Sequence, residues 1–251
     1  MQGAKLEGKI ALVTGASRGL GRHIAAALAA AGAQVAVNYA NSIQDAEETV
    51  RMITAAGGTA AAFRANVTNE AEVAELVSRV ERHFGSHIDI LVNNATGPQP
   101  MVSIEESTWQ TYMDQLEFFV KAPLLLTQAV LPGMKLAGAG SIINIGSEVV
   151  QIGNANFSSY VTAKSSMVGM TRSWASELGP HGIRVNLIAP GWIPVERHAG
   201  ANTDGYRAGV PLGRVGEPAD IAAAVVFMAS PESAFITGQC LSVNGGNTFG
   251  I

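Results

Sequence analysis

The chain has 251 residues, of which 47% are hydrophobic and 14% charged, a composition that excludes a disordered chain. This length and composition predict one α/β domain over residues 1–251. The formal net charge is −4 and the basic residues are scattered along the sequence, so there is no electrostatic reason to expect binding to nucleic acid or to anionic membranes.

The single cysteine, Cys240, excludes an intrachain disulfide and fits a reducing compartment. It lies in an apolar run, which predicts a buried thiol. No stretch has the length of a membrane span, and residues 1–7 lack the apolar core of a secretion signal. We therefore expect a soluble protein in the cytoplasm.

Short β-branched runs alternate with longer amphipathic stretches, which predicts βα units and a doubly wound parallel sheet with helices on both faces. In chain order the predicted strands are residues 9–14, 34–38, 59–65, 88–93, 141–145, 184–189 and 240–243. The predicted helices are residues 20–31, 42–56, 69–84, 107–136, 158–178 and 218–228. Asn69 and Glu72 form a capping pair for the third helix, and Pro123 and Pro132 predict a kinked or split fourth helix.

The segment over residues 191–216 is rich in glycine and proline and has no clear periodicity. It follows the carboxyl end of a predicted strand, where ligands bind in open α/β sheets. We therefore interpret it as a lid over a functional site, with a plain surface loop as the alternative.

The turn after the first predicted strand contains Gly15, Gly19 and Gly21. Glycine lets the backbone approach a pyrophosphate closely, and the N-terminus of the following helix attracts negative charge. The spacing G-x3-G-x-G differs from the G-x-G-x2-G of other dinucleotide folds. A tight strand-to-helix turn also needs glycine without any ligand, so the turn alone does not establish a cofactor site.

Ser147, Tyr160 and Lys164 stand in the spacing S-x12-Y-x3-K. Tyr160 and Lys164 are four residues apart, so on a helix they share one face, although such pairs are also common in ordinary packing. The pKa of a free tyrosine is about 10, and a nearby ammonium lowers that pKa by favouring the phenolate. With a hydroxyl from Ser147, the set suits reduction of a carbonyl by hydride from a bound nicotinamide.

These motifs, together with Asn93-Asn94-Ala95, Pro190-Gly191 and residues 238–246, resemble the short-chain dehydrogenase/reductases over essentially the full chain. The resemblance is nearest to 3-oxoacyl-[acyl-carrier-protein] reductases and related ketoreductases or alcohol dehydrogenases. It implies a single-domain Rossmann-type fold, an enzyme that interconverts a small ketone and a secondary alcohol, and a homotetramer or homodimer.

The resemblance implies that Tyr160 is the general acid in reduction and the base in oxidation. It implies that Lys164 lowers the Tyr160 pKa and binds the nicotinamide ribose, and that Ser147 orients the substrate oxygen. The residues it implies for cofactor binding are Gly15, Ser17, Arg18, Gly19, Leu20, Gly21, Asn38, Tyr39, Ala40, Ser42, Asn66, Val67, Asn93, Ala95, Tyr160, Lys164, Pro190, Gly191 and Ile193. We expect no metal site, because the histidines lack ligand spacing.

The end of the second predicted strand carries no acidic residue over residues 38–42, where NAD-preferring enzymes bind the ribose 2′-hydroxyl. Arg18 can pair with a 2′-phosphate, or it is a solvated side chain beside the turn. We therefore favour NADP(H), with NAD(H) still possible.

Three positions depart from the family pattern. Phe119 stands at the usual asparagine and cannot hold the water that passes protons to Lys164, so we expect Gln115, one helical turn earlier, to offer an amide instead. Thr96 replaces a glycine, and the usual threonine is missing within residues 192–195. Phe119 and Thr96 support one rival hypothesis, a cofactor-binding protein with little catalysis, and among enzymes the alternative is an NAD-linked sugar, polyol or alcohol dehydrogenase.

Three side chains near these motifs have two interpretations each. Glu148, beside Ser147, either reaches the substrate cleft or faces solvent. Trp192 and Phe157 either line the pocket or pack in the core.

Overall fold

Buried aliphatic runs form the strands of one parallel sheet in the computed structural model, which describes residues 5–249. The expectation about the start of the chain rests mainly on residues 1–4, which lie outside the described residues, as do the last two residues of the predicted domain. The strands are β1 (Ile10–Val13), β2 (Gln34–Tyr39), β3 (Thr59–Arg64), β4 (Ile90–Asn93), β5 (Gly140–Ile145), β6 (Ile183–Pro190) and β7 (Cys240–Val243).

The helices connect these strands and cover both faces of the sheet. They are α1 (Gly19–Ala30), α2 (Ile43–Ala55), α3 (Glu70–Phe84), α4 (Trp109–Leu116), α5 (Ala122–Ala137), α6 (Val149–Ile152), α7 (Ser158–Leu178), α8 (Asp204–Gly209) and α9 (Pro218–Ala229). The predicted capping pair is confirmed, since the Asn69 side chain accepts the Glu72 N–H at 3.1 Å. Within residues 5–249 no helix has both the length and the apolar character to cross a bilayer.

The core lies in two layers on opposite faces of the sheet. Along β1, Ala11 and Val13 join the cluster beneath α1, α2 and α9, while Ile10 and Leu12 join the cluster beneath α3, α5 and α7. This alternation follows from the two-residue period of a strand, and burial on both faces explains why the strands are almost continuously apolar.

The strand order among the described residues is β3-β2-β1-β4-β5-β6-β7, as expected for a doubly wound sheet. The chain moves outward from β1 in one direction to β3, then returns to begin β4 on the other side of β1. The crevice between the carboxyl ends of β1 and β4 is therefore a topological switch point, where ligands bind in sheets of this kind.

The fourth predicted helix is split, but not for the predicted reason. Helices α4 and α5 are separated by a π-helical turn, Glu117–Lys121, that precedes both prolines. Pro123 lies in the first turn of α5, where a missing N–H costs little, and Pro132 lies inside α5 without ending it. Such π turns are frequent at functional sites.

The prediction of a buried thiol is wrong, because Cys240 is exposed. It begins β7, which pairs with β6 and forms one edge of the described sheet. An edge strand has no neighbouring strand on its outer side, so an apolar run there does not guarantee burial.

Candidate active site

A buried hydroxyl joins the loop after β1 to the loop after β4. The Thr14 hydroxyl donates to the Val92 carbonyl at 3.1 Å and accepts the backbone N–H groups of Asn94 at 2.9 Å and Ala95 at 3.0 Å. The Asn94 side-chain amide donates to the Thr14 carbonyl at 2.8 Å. These contacts hold the two sides of the switch point together. The roles of Thr14 and Asn94 were not predicted, although both residues belong to the quoted motifs.

The glycines after β1 allow this close approach. A Cβ atom added to Gly21 would lie 2.4 Å from the Gly15 carbonyl oxygen, and Gly15 itself has a φ of +60°. Helix α1 begins at Gly19 with no acidic residue in its first turn. The N–H groups of that turn have no intrahelical acceptors, so the turn is a suitable cradle for a phosphate anion.

Asn38 supports this turn from inside the protein. Its side-chain oxygen accepts the Gly15 N–H at 3.2 Å, and its amide donates to the Ala65 carbonyl at 3.1 Å. The residue is buried, as is Tyr39, while Ser42 caps α2. Of the residues predicted at the end of β2, Ala40 is the one with an exposed position.

Two arginines are exposed near the end of β2. Arg18 precedes α1 and makes no side-chain capping bond. Arg64 ends β3, opposite Tyr39 in the sheet register, and its Nε donates to the Ala40 carbonyl at 3.3 Å. Arg64 was not predicted as a site residue, because only the strand pairing brings it to this end of the sheet.

Three of the residues predicted beyond β3 and β4, namely Val67, Asn93 and Ala95, line a small cavity. The cavity, about 10 Å³, is lined by Thr14, Val67, Asn93, Ala95, Phe118, Ala122, Pro123 and Leu126. Asn93 is buried and its amide donates to the Asn144 side chain at 2.8 Å, which directs it between β4 and β5. Asn66 is exposed, and its side-chain oxygen accepts the Thr68 N–H at 3.1 Å.

The structure brings Ser147, Tyr160 and Lys164 to the carboxyl end of β5. Tyr160 and Lys164 lie one turn apart on α7 and are both buried. The Lys164 Nζ donates to the Ile145 carbonyl at 2.7 Å and lies 5.7 Å from the centre of the Tyr160 ring. Ser147 follows two residues after Ile145, is half-buried and accepts the Val149 N–H at 3.3 Å. A hydroxyl, a phenol and an ammonium are thus gathered at one end of the sheet.

Two phenylalanines pack against Tyr160. The Phe157 ring stacks on the Tyr160 ring with centroids 4.5 Å apart, and Phe119 meets it edge to face at 5.4 Å. The face of Phe119 also lies 3.9 Å from the Lys164 Nζ. Phe157 therefore packs on the phenol ring, and Phe119 contacts both the phenol ring and the ammonium.

Gln115 has a different partner from the one we expected. Its side chain is buried and donates to the Pro98 carbonyl at 2.9 Å, in the loop after β4. The same loop is braced by Thr96, whose hydroxyl accepts the Gln99 amide at 2.7 Å. The contact with Pro98 assigns Gln115 to shaping this loop and gives no support for an amide at Lys164.

The segment over residues 191–216, which we call the lid, contains more regular structure than predicted. It includes a 3-10 turn, Glu196–His198, and α8. The Tyr206 hydroxyl, on α8, accepts the Trp192 N–H at 2.8 Å, and the two rings meet edge to face. Trp192 therefore packs within the lid.

Glu148 is buried and is hydrogen-bonded to the lid, so it does not face solvent. It is 4% exposed, and its two oxygens accept hydrogen bonds from the Tyr206 hydroxyl at 2.7 Å and the Asn247 amide at 3.1 Å. Desolvation, and then the neighbouring Glu148 carboxylate, raise the pKa of Tyr206 to about 12. The phenol is thus held protonated as a donor.

The start of the lid is closely packed. Pro190 accepts the Glu148 N–H at 3.0 Å, and Gly191 donates to the Val243 carbonyl at 3.0 Å. A Cβ atom added to Gly191 would lie 2.5 Å from the Tyr206 hydroxyl. Tyr206 can therefore pack this closely against the backbone only because residue 191 is a glycine. Ile193 is buried. No group of three or more His, Cys, Asp or Glu side chains within the described part of the chain is placed to hold a metal ion.

Comparisons with known proteins find relatives over nearly the whole chain. The family described as enoyl-(acyl carrier protein) reductase matches residues 15–248. The chain is 41% identical over 246 residues to the 3-oxoacyl-[acyl-carrier-protein] reductase FabG of Vibrio cholerae, covering 96% of this chain and 98% of that protein.

Two solved structures extend the comparison. A mutant of a Serratia marcescens short-chain dehydrogenase/reductase superimposes with a TM-score of 0.91 and 35% identity, covering 98% of this chain and 100% of that one. A 7 alpha-hydroxysteroid dehydrogenase, solved with NADH and 7-oxo glycochenodeoxycholic acid, superimposes with a TM-score of 0.90 and 35% identity, covering 97% of this chain and 96% of that one.

Proposed function

The chain belongs to the short-chain dehydrogenase/reductase family and is an NAD(P)-dependent oxidoreductase that interconverts ketones and secondary alcohols; we propose that it reduces 3-oxoacyl substrates with NADPH. The observation that carries the proposal is the pair of buried side chains, Tyr160 and Lys164, one turn apart on α7, with the Lys164 Nζ 5.7 Å from the centre of the Tyr160 ring and bonded to the carbonyl of Ile145, two residues before Ser147. A protein that only bound a cofactor would have no need of a proton donor buried at this point.

In this proposal Tyr160 donates the proton to the carbonyl oxygen during reduction and removes it during oxidation. Lys164 stabilises the phenolate by its charge, and the Ser147 hydroxyl orients the reacting oxygen. Phe157 and Phe119 exclude water from the phenol by packing against its ring. The low local polarity strengthens the attraction between ammonium and phenolate.

A dinucleotide fits the groups that surround the switch point. The turn over Gly15, Gly19 and Gly21 offers a phosphate cradle, as its positive φ angles and its close contact with Ala95 require glycine. Bound nicotinamide supplies the hydride. We propose that the adenine end lies towards Asn66 and Val67, and that the nicotinamide end lies towards the backbone of residues 190–193.

We propose NADP(H) as the preferred cofactor. Support comes from the charges at the end of β2, where Arg18 and Arg64 are exposed and residues 38–42 contain no acid. A 2′-phosphate would gain an ion pair there, whereas a 2′-hydroxyl has no carboxylate to bind it.

We propose 3-oxoacyl thioesters as the substrate class because several relatives at about 41% identity carry that activity in their names. In this proposal the lid and the loop after β4 border the substrate, and Met101, Ile104 and Leu212, which these segments carry, are exposed. These apolar side chains suit an acyl chain better than a sugar or a polyol.

A homotetramer is proposed from the apolar side chains that remain exposed on α4 and α5. Trp109 is 71% exposed and Leu136 is 93% exposed in the single chain. Symmetric association is the usual way of covering such residues. Light scattering on the purified protein tests this, and a monomer would contradict it. The cytoplasmic location stays a prediction.

The test of the proposed function is the variant Tyr160→Phe. We expect NADPH oxidation with a short 3-oxoacyl thioester to fall by roughly 10²–10⁴-fold, the usual contribution of a general acid, with NADPH affinity unchanged. The matched control is Tyr112→Phe, which removes a phenol hydrogen bond to Ser158 and leaves Tyr160 in place. Full activity in Tyr160→Phe would refute the catalytic assignment.

A further inference from the structure

The Lys164 ammonium lies against an aromatic face. The Nζ is 3.9 Å from the centre of the Phe119 ring, and Phe119 is 2% exposed. A cation over an aromatic ring is attracted by the negative face of the ring, and the attraction is strongest where water is excluded. The same ring meets Tyr160 with an angle of 88° between the ring planes, so it contacts both groups of the proposed proton donor.

Phe119 reaches this position through the π-helical turn between α4 and α5. A π turn changes the direction of the side chains relative to a continuous α-helix. The preceding residue, Phe118, also contacts the loop after β4, because a Cβ atom added to Gly97 would lie 2.4 Å from its ring. Of the two adjacent phenylalanines, Phe119 is the one whose ring face lies over the ammonium.

We propose that Phe119 is a positioning residue whose ring face, together with the Ile145 carbonyl, holds the Lys164 ammonium beside Tyr160. The proposal rests on the proposed function, in which Lys164 acts on Tyr160. A ring attracts the ammonium without being able to accept its proton, unlike a carboxylate.

The other charged groups near the site have partners of their own. Glu117 and Lys121, at the two ends of the π-helical turn, are 3.5 Å apart and about half exposed. Glu148, after β5, is bound by Tyr206 and Asn247. A change in the charge distribution of the Phe119 ring should therefore alter the Lys164 ammonium while leaving these other charged pairs intact.

The experiment replaces Phe119 with a graded series of fluorinated phenylalanines, which keep the shape of the ring while weakening its negative face. Ionisation of Lys164 and Tyr160 is followed by NMR in lysine- and tyrosine-labelled protein, with Lys164→Met and Tyr160→Phe identifying the signals. We expect the Lys164 pKa to fall and the Tyr160 pKa to rise with each fluorine, the latter by at least about half a unit over the series.

Opposite movement of the two pKa values is the decisive result. A change in Tyr160 alone would mean that the ring acts on the phenol directly, and this outcome or no change in either group would overturn the proposal. The same fluorinated residues at Phe84, which packs against Phe63 and His83, are the control and should move neither titration. If heavily fluorinated protein folds poorly, the singly fluorinated member still gives the direction.

Kinetics gives an independent measurement. Phe119→Leu should move the acid limb of the pH profile for alcohol oxidation to higher pH, while Phe119→Tyr, which keeps the ring, should leave it near its original position. An unmoved limb in Phe119→Leu would count against the proposal. Because the NMR titrations need no turnover, failure of the proposed reaction remains distinguishable from failure of this inference.

Discussion

The Tyr206 hydroxyl donates a 2.7 Å hydrogen bond to the Glu148 carboxylate, which joins the lid to the residue next to Ser147. Glu148 is almost completely buried, and a buried carboxylate is tolerated only when it is well hydrogen-bonded. The two donors that satisfy it come from α8 and from Asn247 near the end of the chain. The position of the lid therefore depends on a charge at the base of the site.

Replacing Tyr206 with phenylalanine should loosen the lid. The change leaves a Glu148 oxygen and the Trp192 N–H without their partner, at a cost of about 1–3 kcal/mol. We expect kcat/KM to fall roughly tenfold, mainly through KM, and residues of the lid to be cleaved faster in limited proteolysis. Tyr112→Phe is the control, and equal effects in the two variants would show that the loss is not specific to the lid.

The same contact predicts a pH dependence at high pH. The Tyr206 pKa is raised to about 12, mainly by desolvation, whereas a tyrosine in the unfolded chain ionises near pH 10. The folded state thus keeps a proton that the unfolded state loses, so the contribution to stability is complete below about pH 10 and disappears as the pH rises through about 12. Thermal unfolding measured between about pH 10 and about pH 12 should show the difference in stability between the wild type and Tyr206→Phe becoming smaller as the pH rises. A constant difference would contradict the assignment.

Thr14→Val should destabilise the protein although it preserves the shape of the side chain. The Thr14 hydroxyl is buried and accepts the N–H groups of Asn94 and Ala95, which would both be left unpaired. We expect a loss of roughly 2 kcal/mol or more in the free energy of unfolding, measured with urea. Thr14→Ser keeps the hydroxyl and should recover most of that loss. Equal stabilities of the two variants would remove this role.

Gly21→Ala should abolish cofactor binding by distorting the turn after β1. The new methyl group would lie 2.4 Å from the Gly15 carbonyl oxygen and 2.6 Å from the Asn94 amide nitrogen, which are hydrogen-bonded to each other across the switch point. Calorimetric titration with NADPH is the measurement. Gly169→Ala, where no heavy atom lies within 4 Å of the added Cβ, should bind NADPH like the wild type. Normal binding in Gly21→Ala would place the cofactor elsewhere.

Arg18→Ala tests the preference for a phosphorylated cofactor. Removing one ion pair with the 2′-phosphate should weaken NADPH binding by roughly tenfold while changing NADH binding little. The control is Arg82→Ala, an exposed arginine on α3 that bonds to Ser78. Equal weakening of NADPH binding and NADH binding would mean that Arg18 contacts a part of the dinucleotide that the two cofactors have in common.

Most of the secondary structure was predictable because its causes are local. The apolar run at β5 and the capping pair at Asn69 act over a few residues, and both predictions are confirmed. The π-helical turn was not predictable from the two prolines, because it depends on where Phe118 and Phe119 find their neighbours in the folded chain. The exposure of Cys240 was missed for a similar reason, since strand order decides which strand is at an edge.

Much of the chemistry of the candidate site could be predicted from the spacing of residues along the sequence. A four-residue spacing puts Tyr160 and Lys164 on one face of any helix, and the glycine spacing after β1 allows the turn to tighten wherever that strand lies. The tertiary structure alone decided that Glu148 is buried beneath Tyr206, 58 residues away, and that the Phe119 ring faces the Lys164 ammonium. Contacts of this kind join distant segments, so they follow from the packing of the whole chain, which no local pattern contains.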